Sequence, residues 1–267
     1  MTVKTTSTAT PAVARQDLAR VAVQLYSLRD RVAERGFEVV LEEVAAIGYA
    51  GVELAGLNGL TPGQVRDQLD RLGLTIAAAH VALPEPDQAQ ALLDDYAELG
   101  ARDLVVAYLP PEQFATAAAV DRAADRLNAF GAAVDARGMA LGYHNHVWEF
   151  ASRIGDESAY ARLFGRLDPR IFAEIDTYWT RVGGLDPVTV VESFGPRARL
   201  LHLKDGPADD PRAPMTALGE GRMAIAPILR ASRAIWHIVE LDRCATDMLE
   251  AVRASHRYLA ALGAPQS

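Results

Sequence analysis

Short apolar runs alternate with amphipathic stretches along most of the chain. Eight runs read as strands: Val21–Tyr26, Gly51–Leu54, Thr75–Val81, Asp103–Ala107, Met139–His144, Ile171–Asp176, Leu200–Lys204 and Trp236–Leu241. Each is followed by a segment with helical periodicity. The helix ends are punctuated in a repeated way. In AAIGYAGVEL, DRLGLTIAAAH, AELGARDLVVAY and DARGMALGYHNH a glycine closes the apolar-periodic run and a strand comes next. Glycine suits the left-handed residue that ends a helix, because it has no Cβ to clash. Thr61-Pro62-Gly63-Gln64 marks a helix start: an N-cap Thr, Pro at the first helical position, and Gln three residues on to complete a capping box.

Strands that alternate with helices pair in parallel, and eight such units predict an α/β chain folded as a single (β/α)₈ TIM barrel. A length of 267 residues agrees with that size. The alternative is a doubly wound open sheet, but the first βα turn, SLRDRVAERG, carries no G-x-G-x-x-G fingerprint. Residues 1–20 read as a disordered lead-in and residues 21–267 as the barrel. The one extended connection is Asp205–Ala224, rich in Pro, Gly and Asp, between the seventh strand and its helix.

Composition narrows the function classes. Half the residues are hydrophobic and 23% are charged, which suits a globular chain with a large core. No apolar run reaches the roughly 20 residues of a membrane span, and the N-terminus lacks a secretory h-region. The single cysteine, Cys244, permits no intrachain disulfide and fits a reducing cytoplasm; it reads as a small side chain just past a strand rather than a nucleophile. The net charge is −8, with no Lys/Arg cluster, so a nucleic-acid partner is disfavoured.

Barrel enzymes carry their chemistry at the C-terminal ends of the strands, and here most strands end in ionisable groups. Strand one carries Gln24, strand two carries Glu53 and strand three ends at His80. Strand five runs into His144-Asn145-His146 with Glu149 beyond. Strand six ends at Asp176, strand seven carries His202 and Lys204, and strand eight ends at Glu240. Alternate strand residues face inward, so these side chains converge on the axis. By the same parity His237 points outward as a structural histidine, and His256 falls on the surface of the last helix. Carboxylates mixed with imidazole favour a divalent cation such as Mn²⁺, Mg²⁺, Co²⁺ or Zn²⁺. The competing reading is a metal-free acid–base site. Carboxylates buried so close together would repel without a proton or cation between them, which favours the metal.

These landmarks resemble the xylose-isomerase-like barrel superfamily of sugar isomerases, epimerases and inosose dehydratases. The resemblance rests on GVEL, GYHNHVWEF, EIDTYW, LLHLKD, LGEG and IVELD, in this order, over roughly 21–262. It implies one cation, Mn²⁺ by preference, held by residues from strands five to eight. Asp176, His202 and Glu240 match directly. The strand-five ligand is Glu149 in this HNHxxEF variant, with His144 as its rival. The resemblance also covers trinuclear-zinc DNA-repair enzymes. Those need a histidine where Trp179 stands and an Asp-x-His that DGPADDPRAP lacks.

The implied reaction is proton abstraction next to a carbonyl, through an enediolate. Glu149 and Glu240 double as acid–base groups, and His144 or His146 is a second proton carrier. Lys204, His80, Glu53 and Gln24 are expected to contact substrate, with Lys204 read equally as paired to an inward carboxylate. One enzymatic alternative is the catalytic subunit of a C-glycoside deglycosidase acting on 3-oxo-glycosides; another is an inosose-type dehydratase. The alternative of another class is a non-catalytic sugar-binding barrel, disfavoured because all four ligand positions can be filled. The turn Gly219-Glu220-Gly221-Arg222 could cradle a phosphate, but Glu220 favours a plain turn. The expected partner is a small-molecule sugar, with self-association or a small accessory subunit left open.

Overall fold

A computed structural model describes residues 20–263, so the lead-in expected over residues 1–20 lies outside the described residues except for Arg20. Eight parallel strands close into a barrel: β1 (Arg20–Gln24), β2 (Gly51–Ala55), β3 (Thr75–Val81), β4 (Asp103–Val106), β5 (Ala140–His144), β6 (Phe172–Asp176), β7 (Ala198–Leu203) and β8 (Trp236–Val239). Sequential strands are hydrogen-bonded neighbours, and β8 returns to β1. The chain is thus the (β/α)₈ barrel that its apolar periodicity predicts.

The differences from the sequence expectation are local. Leu25–Leu28, taken partly as strand, forms a 3₁₀ turn after the Gln24 side chain accepts the Tyr26 N–H. The eighth strand stops at Val239, which leaves Glu240 just past its end. Helix Pro62–Leu72 starts with the expected capping box: Thr61 Oγ1 accepts the Gln64 N–H and Gln64 Oε1 accepts the Thr61 N–H. It ends at Gly73 with φ +69°, a left-handed conformation that glycine takes without strain.

The barrel interior is layered. Its lower half is an apolar plug in which Phe172 and Trp236 are the bulkiest members, with Ala22, Val105, Leu200 and Ile238 around them. Room for the two rings comes from glycines on neighbouring strands. A Cβ on Gly142 would overlap the Phe172 ring, and one on Gly51 would meet Trp236 and the Thr75 carbonyl. The larger cluster of buried residues lies between the strands and the outer helices and includes Val40, Leu41, Leu127 and Val252. Above the plug, the next inward position is polar on every strand except β4, where Ala107 lines the cavity. The pairing sets these residues level with one another: Gln24 beside Glu53, His144 beside Glu174, and Asp176 beside His202.

Two outlying histidines test the parity argument. His237 faces outward under the helices, buried, with Nε2 3.0 Å from Ser232 Oγ. His256 corrects the expectation. It is buried rather than on the surface, with Nε2 3.0 Å from the Gly48 carbonyl and its ring against Tyr49. Helical position alone did not reveal that this face of Met248–Ala261 packs on the barrel. Among the described residues no helix is long and apolar enough to cross a membrane.

Candidate active site at the barrel mouth

The inward polar layer is a single connected cluster. Gln24 Nε2 donates to Glu53 Oε2 at 2.8 Å, and the same oxygen lies 2.6 Å from His202 Nε2. His202 Nδ1 lies 2.7 Å from Glu240 Oε2. Glu174 Oε2 is shared by His80 Nε2 at 2.6 Å and His144 Nδ1 at 3.0 Å. Lys204 Nζ stands 2.9 Å from Asp176 Oδ2, 2.8 Å from Glu240 Oε2 and 2.9 Å from Asp242 Oδ2. Glu53, Glu174, Asp176 and His202 have no solvent exposure.

Sequence reading missed Glu174, and the missed signal is simple. It sits two residues before Asp176 on β6 and therefore shares its face.

Two local devices aim Asp176. Its Oδ1 caps helix Thr177–Val182 by accepting the Trp179 N–H at 2.8 Å. Its backbone is tied to the end of β5, where Asn145 Oδ1 accepts the Asp176 N–H and Asn145 Nδ2 donates to the Asp176 carbonyl. Asp176 Oδ2 is left buried, with no hydrogen bond of good geometry, facing the Lys204 ammonium only as an ion pair. Glu53 Oε1 and Glu174 Oε1 are likewise buried and unpartnered.

Burial and mutual charge set the protonation states. Burial, helped by the Glu174 charge, raises the Glu53 carboxyl to about 7. Burial opposes charge on Glu174 and Glu240 too, but the imidazoles around Glu174 and the Lys204 and His202 cations around Glu240 hold both well below the usual carboxylate range. For His202 burial also works against charge, and three carboxylates overcome it, raising it well above its ordinary value in the metal-free protein; a bound cation would take the place of that proton. Asp176 is raised by burial to about 6 against the pull of Lys204. Burial drives His144 down to about 3 and His146 to about 2, so both are neutral.

The residues fit a divalent cation. One donor atom each from His144, Asp176, His202 and Glu240 lie within 4.8 Å of one another, and a second group of His80, His144, Glu174 and His202 meets the same limit. Two carboxylates with two imidazoles is a donor set for a borderline cation. His144 has the arrangement common to metal-bound histidines: Nδ1 pairs with a carboxylate while Nε2 points inward, 4.0 Å from Asp176 Oδ2. Asp176 Oδ2 is the orphan oxygen that a cation would satisfy.

Glu149 stands apart from both groups. Its Oε1 accepts from the Tyr143 hydroxyl at 2.7 Å and its Oε2 from the His146 N–H at 2.9 Å, which ties helix Val147–Ala151 to the end of β5. Burial raises its carboxyl to about 8. Lys204, expected to contact substrate, is 1% exposed in its side chain and enclosed by three carboxylates. The Gly219–Arg222 turn offers no free phosphate cradle, because Asp205 beneath it accepts the N–H groups of Gly206, Gly219 and Met223.

Above the cluster opens a cavity of about 840 Å³, lined among others by His80, His144, His146 and Glu240. The fold and this cavity define a (β/α)₈ barrel with a buried carboxylate–imidazole site at the C-terminal strand ends. A family profile for the xylose isomerase-like TIM barrel matches residues 41–261, and the chain belongs to that family. Solved structures agree on the fold. A sugar phosphate isomerase/epimerase from Parabacteroides distasonis superposes with a TM-score of 0.75 at 23% identity, covering 96% of both chains. A probable 3-DHS dehydratase from Bacillus anthracis gives 0.71 at 15% identity over 90% of this chain and 98% of that one. A D-allulose 3-epimerase from Methylomonas sp. gives 0.69 at 13% identity over 92% and 99%. No curated protein matches the sequence.

Proposed function

We propose that the protein is a divalent-metal-dependent sugar isomerase or epimerase that moves a proton on the carbon next to a carbonyl. The observation that carries this reading is the buried set His144, Asp176, His202 and Glu240 directly beneath the cavity. The names borne by the neighbours, sugar phosphate isomerase/epimerase and D-allulose 3-epimerase, point the same way. When bound, the cation would supply Lewis-acid polarisation of a substrate carbonyl oxygen, with Mn²⁺ preferred among Mg²⁺, Co²⁺ and Zn²⁺.

The chain's own groups do the rest. Glu240 and His146 both reach the cavity, Glu240 from the end of β8 and His146 from beyond β5, three strands away around the barrel. Two proton carriers on opposite sides of a substrate carbon are what epimerisation needs: one removes the proton and the other returns it on the far face. His146 is neutral and its Nδ1 is buried without a partner; burial keeps its proton affinity low, so it accepts a proton only against a developing negative charge. Negative charge developing on the substrate raises its proton affinity as the reaction proceeds. Glu53 and Gln24 brace His202, and His80 covers Glu174.

The test is metal analysis of protein purified without chelator, then a chelator challenge. One equivalent of cation, lost on chelation together with aldose–ketose or epimer interconversion, supports the reading. Asp176→Asn should abolish the cation while the far-ultraviolet spectrum is unchanged. Sub-stoichiometric metal, with activity and stability indifferent to chelator, would overturn it.

A further inference from the structure

The rim of the cavity is chemically unlike its floor. The floor is a buried charge cluster; the rim adds exposed aromatic rings to a few charged side chains. The large hydrophobic side chains most exposed among the described residues are Tyr26 at 45%, Tyr108 at 51% and Ile235 at 45%. Two of the three, Tyr26 and Tyr108, sit on this one rim. Trp148 joins them, its ring stacked on His146 at 4.4 Å between centroids, and Tyr108 meets both rings edge-on. Large aromatic faces held open to solvent carry a hydration cost that a bound apolar surface relieves.

Polar groups on the rim suit a neutral oxygen-bearing ligand. Trp148 Nε1 and Trp179 Nε1 are buried donors with no partner, and both rings line the cavity. Buried N–H groups are normally satisfied, so each is suited to an oxygen acceptor, from a ligand or an ordered water. Two cations also line the cavity, Arg29 and Arg243. Arg29 lies over the Tyr26 ring, 4.1 Å from its centroid, and donates to the Tyr26 and Asp242 carbonyls. Arg243 donates to the Pro211 carbonyl. These guanidinium groups brace main-chain loops, and the acid Asp242 lies beside them on the same rim.

A volume of about 840 Å³ is in the range that encloses a drug-sized ligand and exceeds a single sugar ring. We infer that the substrate is an unphosphorylated sugar carrying a flat apolar substituent. The sugar would sit over the carboxylate–imidazole floor, and the substituent would be held at the rim by Tyr26, Tyr108 and Trp148. This inference rests on the proposed function for the sugar end and on the rim alone for the substituent.

The experiment is calorimetric titration of the full-length, Mn²⁺-loaded protein with paired probes. These are the p-nitrophenyl and methyl glycosides of glucose, galactose, xylose and mannose, with glucose 6-phosphate and mannose 6-phosphate. At least one p-nitrophenyl glycoside should bind ten-fold or more tighter than its methyl partner. Tyr108→Ala and Tyr26→Ala should each erase most of that ratio, while metal content stays unchanged. Equal affinities within every pair would overturn the inference. So would a sugar phosphate binding tighter than every aryl glycoside, which would assign the rim to Arg29 and Arg243. An aryl preference that survives Tyr108→Ala and Tyr26→Ala would overturn it as well. Metal content separates the two readings: a loaded protein without aryl preference sinks the rim alone. An aryl preference in a protein that takes up no metal sinks the isomerase reading alone.

Discussion

Lys204 Nζ lies 2.9 Å from Asp176 Oδ2, an ammonium resting against the carboxylate oxygen best placed to bind a cation. Glu240 and Asp242 complete its surroundings at 2.8 and 2.9 Å. Removing one member of a buried charge group leaves the rest uncompensated, at a cost of about 3–5 kcal/mol. Lys204→Met should therefore destabilise the metal-free protein by that order in urea denaturation. Added Mn²⁺ should restore more stability to the variant than it adds to the parent, since the cation then neutralises carboxylates that Lys204 no longer does. Equal Mn²⁺ increments in the two proteins would show that ammonium and cation do not share these oxygens.

Glu149 is the clearest place where sequence resemblance and geometry give different ligand sets. Gln can keep both of its contacts, accepting from the His146 N–H and donating to the Tyr143 hydroxyl. Glu149→Gln should retain the cation, whereas His144→Gln should lower metal affinity at least ten-fold by direct titration. The opposite pattern would make Glu149 the fourth ligand. A pH effect follows as well. The folded carboxyl is raised to about 8 from an ordinary value of 4.5. Its neutral form therefore adds stability at acid pH that fades as pH rises through about 8. In chelator, Glu149→Gln should remove that decline.

His237 sets an acid limb. Burial lowers its imidazole to about 4 from 6.5. The unfolded chain thus takes up a proton near pH 6.5 that the folded chain refuses until about pH 4. The stability contributed by the neutral ring is present above pH 6.5 and is lost as pH falls through that window, by up to about 3 kcal/mol. His237→Leu should flatten the slope of unfolding free energy between pH 6.5 and 4. An unchanged slope would mean that the folded protein admits the proton.

Gly142 accommodates the Phe172 ring in the barrel plug. Gly142→Ala should cost about 1–3 kcal/mol through overpacking. Pairing it with Phe172→Leu should recover part of the loss, a coupling measurable by a double-mutant cycle. Strict additivity would mean that the ring relaxes elsewhere.

The barrel itself was legible because its causes are local. Apolar period, glycine stops and the Thr61 capping box each act within a few residues, and together they placed eight strands with small errors at the ends. Strand parity likewise placed the inward polar positions other than Glu174, since a side chain's face is fixed by its distance along the strand. The Leu25–Leu28 turn and the early end of β8 escaped because a strand's last residues depend on neighbouring strands for hydrogen bonds.

What only the tertiary structure decided is which of these inward groups meet. Glu174 is joined to His80 and His144, and His202 is held between Glu53 and Glu240, across strands far apart in sequence. Asp176 is aimed by Asn145 from the neighbouring strand, and Glu149 turns toward Tyr143 instead of the floor. His256 is covered by the loop at Gly48, some two hundred residues away. The sequence determined the frame and the supply of carboxylates and imidazoles, because spacing along one element does that. Their pairing, burial and protonation depend on distances between elements, and those exist only once the barrel has closed.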